Sequence, residues 1–463
     1  MPVFAGRRSY DGRMHRLHEI AERTPPGRER FIDLLRAVAI LIVVLGHWMV
    51  IVVTGGDGGV HGFSALEVLR WGRPITWLVQ VLPVFFIVGG FANAASLTSH
   101  LRGGGGAGDW LLDRSARLVR PTTALLVTLA AAALVAHLAG ADSDVVGRGV
   151  WLATIPLWFL LVYLVVVFLT PLTHRLHRRA GPAVPAALVV LVAAGDTARL
   201  AFDVPALQMG NYLFAWVAMH QMGFAWQDGT LPVRPRVAVP LLVTGAGAAV
   251  LLTVAGPYSI SMVDFPGEHL RNLAPPTLAL TSWATAQLGL VLLLRDAGER
   301  FLKRRVPWTA VIAVNAVILS VLLWHLTALV LVIAAVSGLG LLPLPRPPQH
   351  TGAWLSWKPL WLALSLTVLV ALLAVFGRIE TRGLRRARAP RAWWTPAVLG
   401  RPRPRAAATV AGYAACVLGL LGVAVAHPTH RGPLGLPAAA LATFLAGAAL
   451  LRAARAAGGR RAG

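Results

Sequence analysis

The stretch from Arg28 to Met49 constrains the fold more than any other part of the chain. Behind a basic flank it holds an apolar run of about 20 residues, the length a helix needs to cross hydrocarbon. Yet Asp33, Arg36 and His47 interrupt that run. At about 100° per residue, the step from Arg36 to His47 returns to nearly the same helix face, and Asp33 lies one turn below Arg36. One stripe of a membrane helix is therefore polar, with His47 roughly 16 Å above Arg36. Ionisable groups at such depth cost roughly 2.5–3.5 kcal/mol on insertion scales and usually line a protein interior or wet cavity. Asp33 and Arg36 also suit a plain interfacial anchor, and His47 a satisfied bundle histidine.

Composition extends this reading to the whole chain. The 463 residues are 56% hydrophobic and only 13% charged, with a mean hydropathy of +0.66. That balance excludes a soluble globular protein. The net charge of +24 lies in short clusters between apolar segments, which favours positive-inside topology over nucleic acid. A single cysteine, Cys416, excludes an internal disulfide framework, and no metal is expected. Residues 1–30 are arginine-rich with no apolar core, so no cleaved signal peptide is expected.

Apolar segments fall at 32–53, 75–98, 118–139, 151–172, 183–201, 210–227, 237–256, 276–294, 308–337, 357–377, 406–426 and 434–451. The expected fold is all-α, a polytopic transmembrane bundle of a ten-helix core and a C-terminal helical pair. If both ends are cytoplasmic, the outer side holds only Arg70, Arg73, Arg148, Arg199, Arg271, Arg346, Lys358 and Arg431 of the 43 Lys and Arg residues. The predicted organisation is a cytoplasmic tail (1–27), a core (28–378), a basic Pro/Arg-rich linker (379–405), a helical pair (406–452) and a tail (453–463). The glycine-rich run at 102–108 reads as a flexible linker.

The Arg-to-His spacing, within Asp33-Leu-Leu-Arg-Ala-Val-Ala-Ile-Leu and ending Leu45-Gly-His, resembles the first helix of the acyltransferase 3 family of integral-membrane O-acyltransferases. Pro83-Val-Phe-Phe-Ile-Val-Gly-Gly-Phe is similar to that family's Pro-x-Phe-Phe-x-x-Ser-Gly-Phe segment, with Gly89 where serine is common. Close backbone approach is the expected use of Gly89. Arg114 and Arg117 match its Arg-x-x-Arg motif, and Leu157-Trp-Phe-Leu its fourth span. The resemblance covers roughly residues 28–378 and implies an acyl-CoA donor, with acetyl-CoA expected.

By that analogy Arg36, Arg114 and Arg117 meet the CoA phosphates, to which planar guanidinium is well matched. The arginine pair equally suits contact with anionic headgroups, and Pro121 marks where a new helix segment could begin. Transfer to an alcohol needs a base, and neutral imidazole supplies one without permanent charge, which points to His47. Asp33, counted with His47 among the catalytic candidates, would pair with Arg36, hold the stripe in register and face the donor. His325, at a depth similar to that of His47, is a third catalytic candidate. Trp158 is read as an aromatic-belt anchor that could instead stack on a sugar. Asn93 is read as a binding candidate or interhelical glue, and His220 as a helix-to-helix hydrogen-bonder with Gln221 and Gln287 as polar neighbours.

The expected partners are acyl-CoA, a carbohydrate or lipid-linked acceptor and the lipid bilayer, without nucleic acid. A bacterial cell membrane is the expected location, the former from Ala-, Arg- and Gly-heavy usage. So few residues follow the last span that the extracytoplasmic esterase-like domain of some family members has no place, and the chain would deliver the acyl group itself. Against this stand a proton-coupled transporter or flippase, for which no matching pair of interrupted helices is visible, and a non-catalytic scaffold.

Overall fold

A computed structural model describes residues 29–56, 59–268, 270–341, 349–385, 396–429 and 431–458. The N-terminal tail, positions 386–395 of the basic linker and the last five residues lie outside the described residues. The helices are α1 (Arg30–Val50), α2 (Ala65–Val68), α3 (Gly72–Val79), α4 (Leu82–Arg102), α5 (Ala107–Leu138), α6 (Ser143–Thr154), α7 (Leu157–Ala180), α8 (Ala183–Phe202) and α9 (Pro205–Gln208). They continue with α10 (Asn211–Gln227), α11 (Pro235–Val250), α12 (Leu278–Phe301), α13 (Arg305–Asn315), α14 (Ile318–Gly338), α15 (Thr351–Arg385), α16 (Pro402–Val425) and α17 (Ala438–Gly458). One antiparallel hairpin, β1 (Ile51–Gly56) and β2 (Gly59–Ser64), follows α1 with Val52 opposite Phe63.

The protein is an all-α, multi-pass membrane bundle. Among the described residues, 11 helical segments are long and apolar enough to cross a membrane. The sequence gives twelve segments, and the difference is α10, a helix of only 17 residues. Its rise of roughly 25 Å is at the short end of a span. Ala215 to Trp226 are all buried, so α10 is enclosed by protein on every side.

α10 packs on α4 through two glycines. A Cβ on Gly90 would fall on the carbonyl of His220, and one on Gly223 on the carbonyl of Ile87. Glycine permits the backbones to approach this closely, which is how membrane helices gain contact without a hydrophobic driving force. The expected close approach at Gly89 therefore belongs to its neighbour. Gly89 instead faces the Tyr163 ring, to which an added Cβ would come within 3.1 Å.

Several segments differ in detail from the sequence reading. The second span is broken at Gln80 and Val81 between α3 and α4. Pro121 starts no helix but lies inside α5, which runs unbroken from the glycine turn through the arginine motif. The ninth segment divides at Ala316 and Val317 because Glu380 captures the start of α14: the Leu319 and Ser320 amides (3.2 and 2.8 Å) and the Ser320 hydroxyl (2.7 Å) all donate to its carboxylate. A carboxylate is favoured there by the unpaired N–H groups and the helix dipole. Lys358, read as a loop residue, is buried in α15.

α16 and α17 pack on each other and grip the start of α5. The Tyr413 hydroxyl donates to the Leu111 carbonyl (2.9 Å), Arg455 pairs with Asp113 (2.8 Å), and Arg405 pairs with Asp109. The helical pair thus braces the turn of α5 that precedes Arg114.

The α4–α10 contact yields a test of the fold. Gly90→Val or Gly223→Val should abolish monodisperse folded protein, read by fluorescence-detected size exclusion in detergent. Gly108→Ala, where an added Cβ meets nothing within 4 Å, should be recovered like wild type.

Candidate active site

The helix faces bring two histidines together across the bundle. His47 Nδ1 and His325 Nε2 lie 3.1 Å apart, with ring centroids at 5.1 Å. His325 Nδ1 lies 2.6 Å from the Leu322 carbonyl, which can only accept, so this nitrogen carries a proton. With both rings neutral, His325 Nε2 must accept, and His47 Nδ1–H donates to it. That leaves the lone pair on His47 Nε2 free for another proton.

The dyad is held by groups on three helices. The Trp48 indole donates to the His325 carbonyl (3.0 Å), tying α1 to α14 one residue beyond His47. Lys358 Nζ donates to the Trp48 and Ile51 carbonyls (3.1 and 3.2 Å) and lies 4.6 Å over the Trp354 ring. The Trp48 carbonyl belongs to the last turn of α1 and Ile51 caps it, where no intrahelical donor remains and a cation is favoured. Sequence reasoning passed over Trp48 and counted Lys358 only among the outer cations. An intramembrane lysine was the available signal.

The other end of α1 gathers arginines. Arg114 reaches inward, donating to the Ala92 carbonyl (3.3 Å) and lying 5.5 Å over the Trp110 ring. The charges of Arg36 and Arg117 act on it, and Arg36 also acts on Glu380. Arg117 itself is exposed, so the pair presents one inward and one outward guanidinium. Asp33 is buried at this end, its carbonyl accepting the Asn315 amide (2.8 Å). Being roughly 21 Å from His47 along the helix axis, Asp33 belongs to the arginine end.

Asn93 and His220 form a third polar contact, Nδ2 to Nε2 at 3.1 Å, buried between α4 and α10 beside Arg114. Neither expected glutamine neighbour joins it: Gln221 donates to the Thr173 carbonyl (3.0 Å), and Gln287 to the Gln80 carbonyl. Among the described residues no group of three His, Cys, Asp or Glu side chains gathers as a metal site.

His47 opens on a cavity of about 1310 Å³. The cavity follows α1 from Ala39 to Val50, roughly 16 Å, and reaches Phe376 on α15. Its far end is bounded by Arg148, Asp264 and Ser337. Trp158 lines it, its ring 6.4 Å from that of Trp216, so this indole faces the cavity as well as the end of α7.

A family model described as an acyltransferase domain matches residues 29–378. The chain belongs to the acyltransferase 3 family. It is therefore a transferase that moves acyl groups, and the matched region contains the dyad, the arginines and all of the cavity wall except Pro428. Comparison with curated proteins and with solved structures returns no match. α16 and α17 lie beyond the matched residues.

At the cavity's far end, Asp264 lies in the segment between the π-turn Leu251–Ala255 and α12. Burial pushes its carboxyl up from 3.8 to about 7; the Leu273 amide opposes this, Glu268 adds to it and Arg271 opposes it. The folded chain thus binds this proton more tightly than the unfolded one. Its contribution to stability is present below about pH 4 and lost as pH rises towards about 7. Asp264→Asn should remove that downward slope, read from thermal unfolding at intervals between pH 4 and 8. Lys358→Met, which strands two buried carbonyls, should cost roughly 1–3 kcal/mol by the same method.

Proposed function

We propose that this protein transfers an acyl group from cytoplasmic acyl-CoA to a hydroxyl of a carbohydrate-bearing or lipid-linked acceptor, within a bacterial cell membrane and with both termini cytoplasmic. Acetyl is the smallest such group and the one the family resemblance favours. The observation that carries the reading is the 3.1 Å contact of His47 Nδ1 with His325 Nε2 at the cavity wall; with His325 Nδ1–H on the Leu322 carbonyl, a neutral pair leaves His47 Nε2 as the proton acceptor.

The chemistry runs as follows. The acceptor hydroxyl gives its proton to His47 Nε2 while its oxygen attacks the thioester carbonyl. The resulting imidazolium donates more strongly from Nδ1 to His325 Nε2, which stabilises the charge without placing a carboxylate in the membrane. The tetrahedral adduct then expels the CoA thiolate, which takes the proton from His47. Ester and free thiol leave, and the base is restored.

Donor binding falls to the arginine end. Arg36, Arg114 and Arg117 meet the CoA phosphates, with Arg114 the deepest of the three, and the pantetheine arm follows α1 towards His47. Distribution of Lys and Arg among the loops supports a cytoplasmic donor side. Asn93 lies beside Arg114 and holds α10 in place there; Trp158 meets the acceptor.

CoA release and donor binding by purified protein in lipid test this reading. His47→Ala should lower kcat by about 100-fold or more, the scale of a lost general base, with donor affinity retained. His325→Ala should lower kcat by a smaller factor, and Arg114→Gln should weaken donor binding with a smaller effect on kcat. Full turnover by His47→Ala would remove the base assignment, and absent acyl-CoA binding by folded wild type would remove the donor.

A further inference from the structure

The cavity that runs along α1 past His47 has the wrong chemistry for a free sugar. Its volume of about 1310 Å³ exceeds the roughly 300–1,000 Å³ of ordinary small-molecule pockets. Two of its polar wall residues, Thr76 and Gln80, are turned onto the segment before α12: the Met262 amide donates to Thr76 Oγ1, and Gln80 donates to the Met262 carbonyl. Within the helices α1, α5 and α14, away from the far end, the polar side chains left to face a ligand are His47, Thr128 and Thr327, apart from tryptophan indoles. A sugar carries a hydroxyl on most of its carbons. Each one left unpaired in such a space costs about tenfold in affinity.

One of the three is itself incomplete. Thr327 Oγ1 is buried, its residue 7% exposed, and has no hydrogen-bond partner among the described residues. A buried hydroxyl with open valence on a cavity wall, two residues beyond His325, needs a ligand to satisfy it. Of the remaining polar groups, Ser64 is engaged in capping α2, Tyr212 lies near Asp264, and Arg148 and Ser337 stand on α6 and α14.

We propose that the acceptor is a lipid alcohol whose apolar body fills this cavity, with the reacting hydroxyl at His47 and Thr327 as its second polar contact. This rests on acyl transfer at His47 and names the acceptor class for it. A chain drawn from the bilayer enters an apolar cavity at nearly no net free-energy change, because lipid tails are as apolar as the walls. Selection therefore falls on the hydroxyl. In the reaction the thioester C–S bond breaks, a C–O ester bond forms on the lipid, and the alcohol proton passes through His47 to the CoA thiolate.

The test uses the full chain in lipid nanodiscs, labelled acetyl-CoA and octanoyl-CoA as donors, and two acceptor panels: long-chain primary alcohols with polyprenols, and methyl glycosides with short oligosaccharides. Label should enter the organic phase at least tenfold faster with the first panel. Ala334→Leu narrows the cavity on α14, nine residues beyond His325 and away from the arginine end. It should lower transfer to long-chain alcohols at least tenfold and leave acyl-CoA Kd within about twofold. Thr327→Val should raise KM for the alcohol severalfold, and Thr327→Ser should restore it.

Faster labelling of glycosides than of lipid alcohols, with Ala334→Leu altering neither, would overturn the lipid proposal and leave acyl transfer standing. So would alcohols that bind without being acylated while glycosides turn over, the pattern of a cavity filled only by bulk lipid. Loss of all acyl-CoA binding in folded wild type would instead overturn the underlying reaction.

Discussion

The contact between His47 and His325 joins helices α1 and α14 at one point inside the membrane, and the site depends on it. Two neutral imidazoles can satisfy each other without a net charge, which suits a low-dielectric setting where a carboxylate partner would carry a desolvation cost. Their order is fixed because the Leu322 carbonyl can only accept. A dyad of this kind has direction: with His325 Nδ1–H on the Leu322 carbonyl, a neutral pair places the bridging proton on His47 Nδ1.

Rigidity around the dyad comes from backbone groups at helix ends. Trp48 ties α1 to the His325 carbonyl, Lys358 occupies the last carbonyls of α1, and Glu380 occupies the first amides of α14. Each interaction spends a buried charge or donor on helix-terminal groups that would otherwise lack partners. α15 supplies both Lys358 and Glu380, one near each end. A single helix thereby fixes the two that carry the histidines, and any slide of one turn between them would break several hydrogen bonds at once.

The arginine end and the cavity end differ in chemistry as the two substrates of a transferase do. Arg36, Arg114 and Arg117 concentrate positive charge at one end of α1, while aliphatic and aromatic walls dominate the cavity that runs along α1 past the dyad. α16 and α17, outside the matched family domain, touch the arginine end through Asp109 and Asp113. These two carboxylates lie just before Arg114, and their pairing with Arg405 and Arg455 keeps them from competing for its guanidinium.

Local pattern was legible in the sequence. Run length and composition gave the membrane bundle, the helical period gave the polar stripe on α1, and the Arg-to-His spacing with the Arg-x-x-Arg motif gave the family. All these follow from a few consecutive residues and the fixed geometry of a helix. Tertiary structure alone decided that His47 meets a residue 278 positions away, that Gly90 rather than Gly89 makes the close approach, that Arg114 turns inward while Arg117 stays out, and that Lys358 is buried. It also decided that a largely apolar cavity runs past the dyad. The physical reason is that an almost uniformly apolar helix carries little information about which of its faces meets which neighbour. That choice is made by close packing and by the few buried polar groups that must find partners across the bundle.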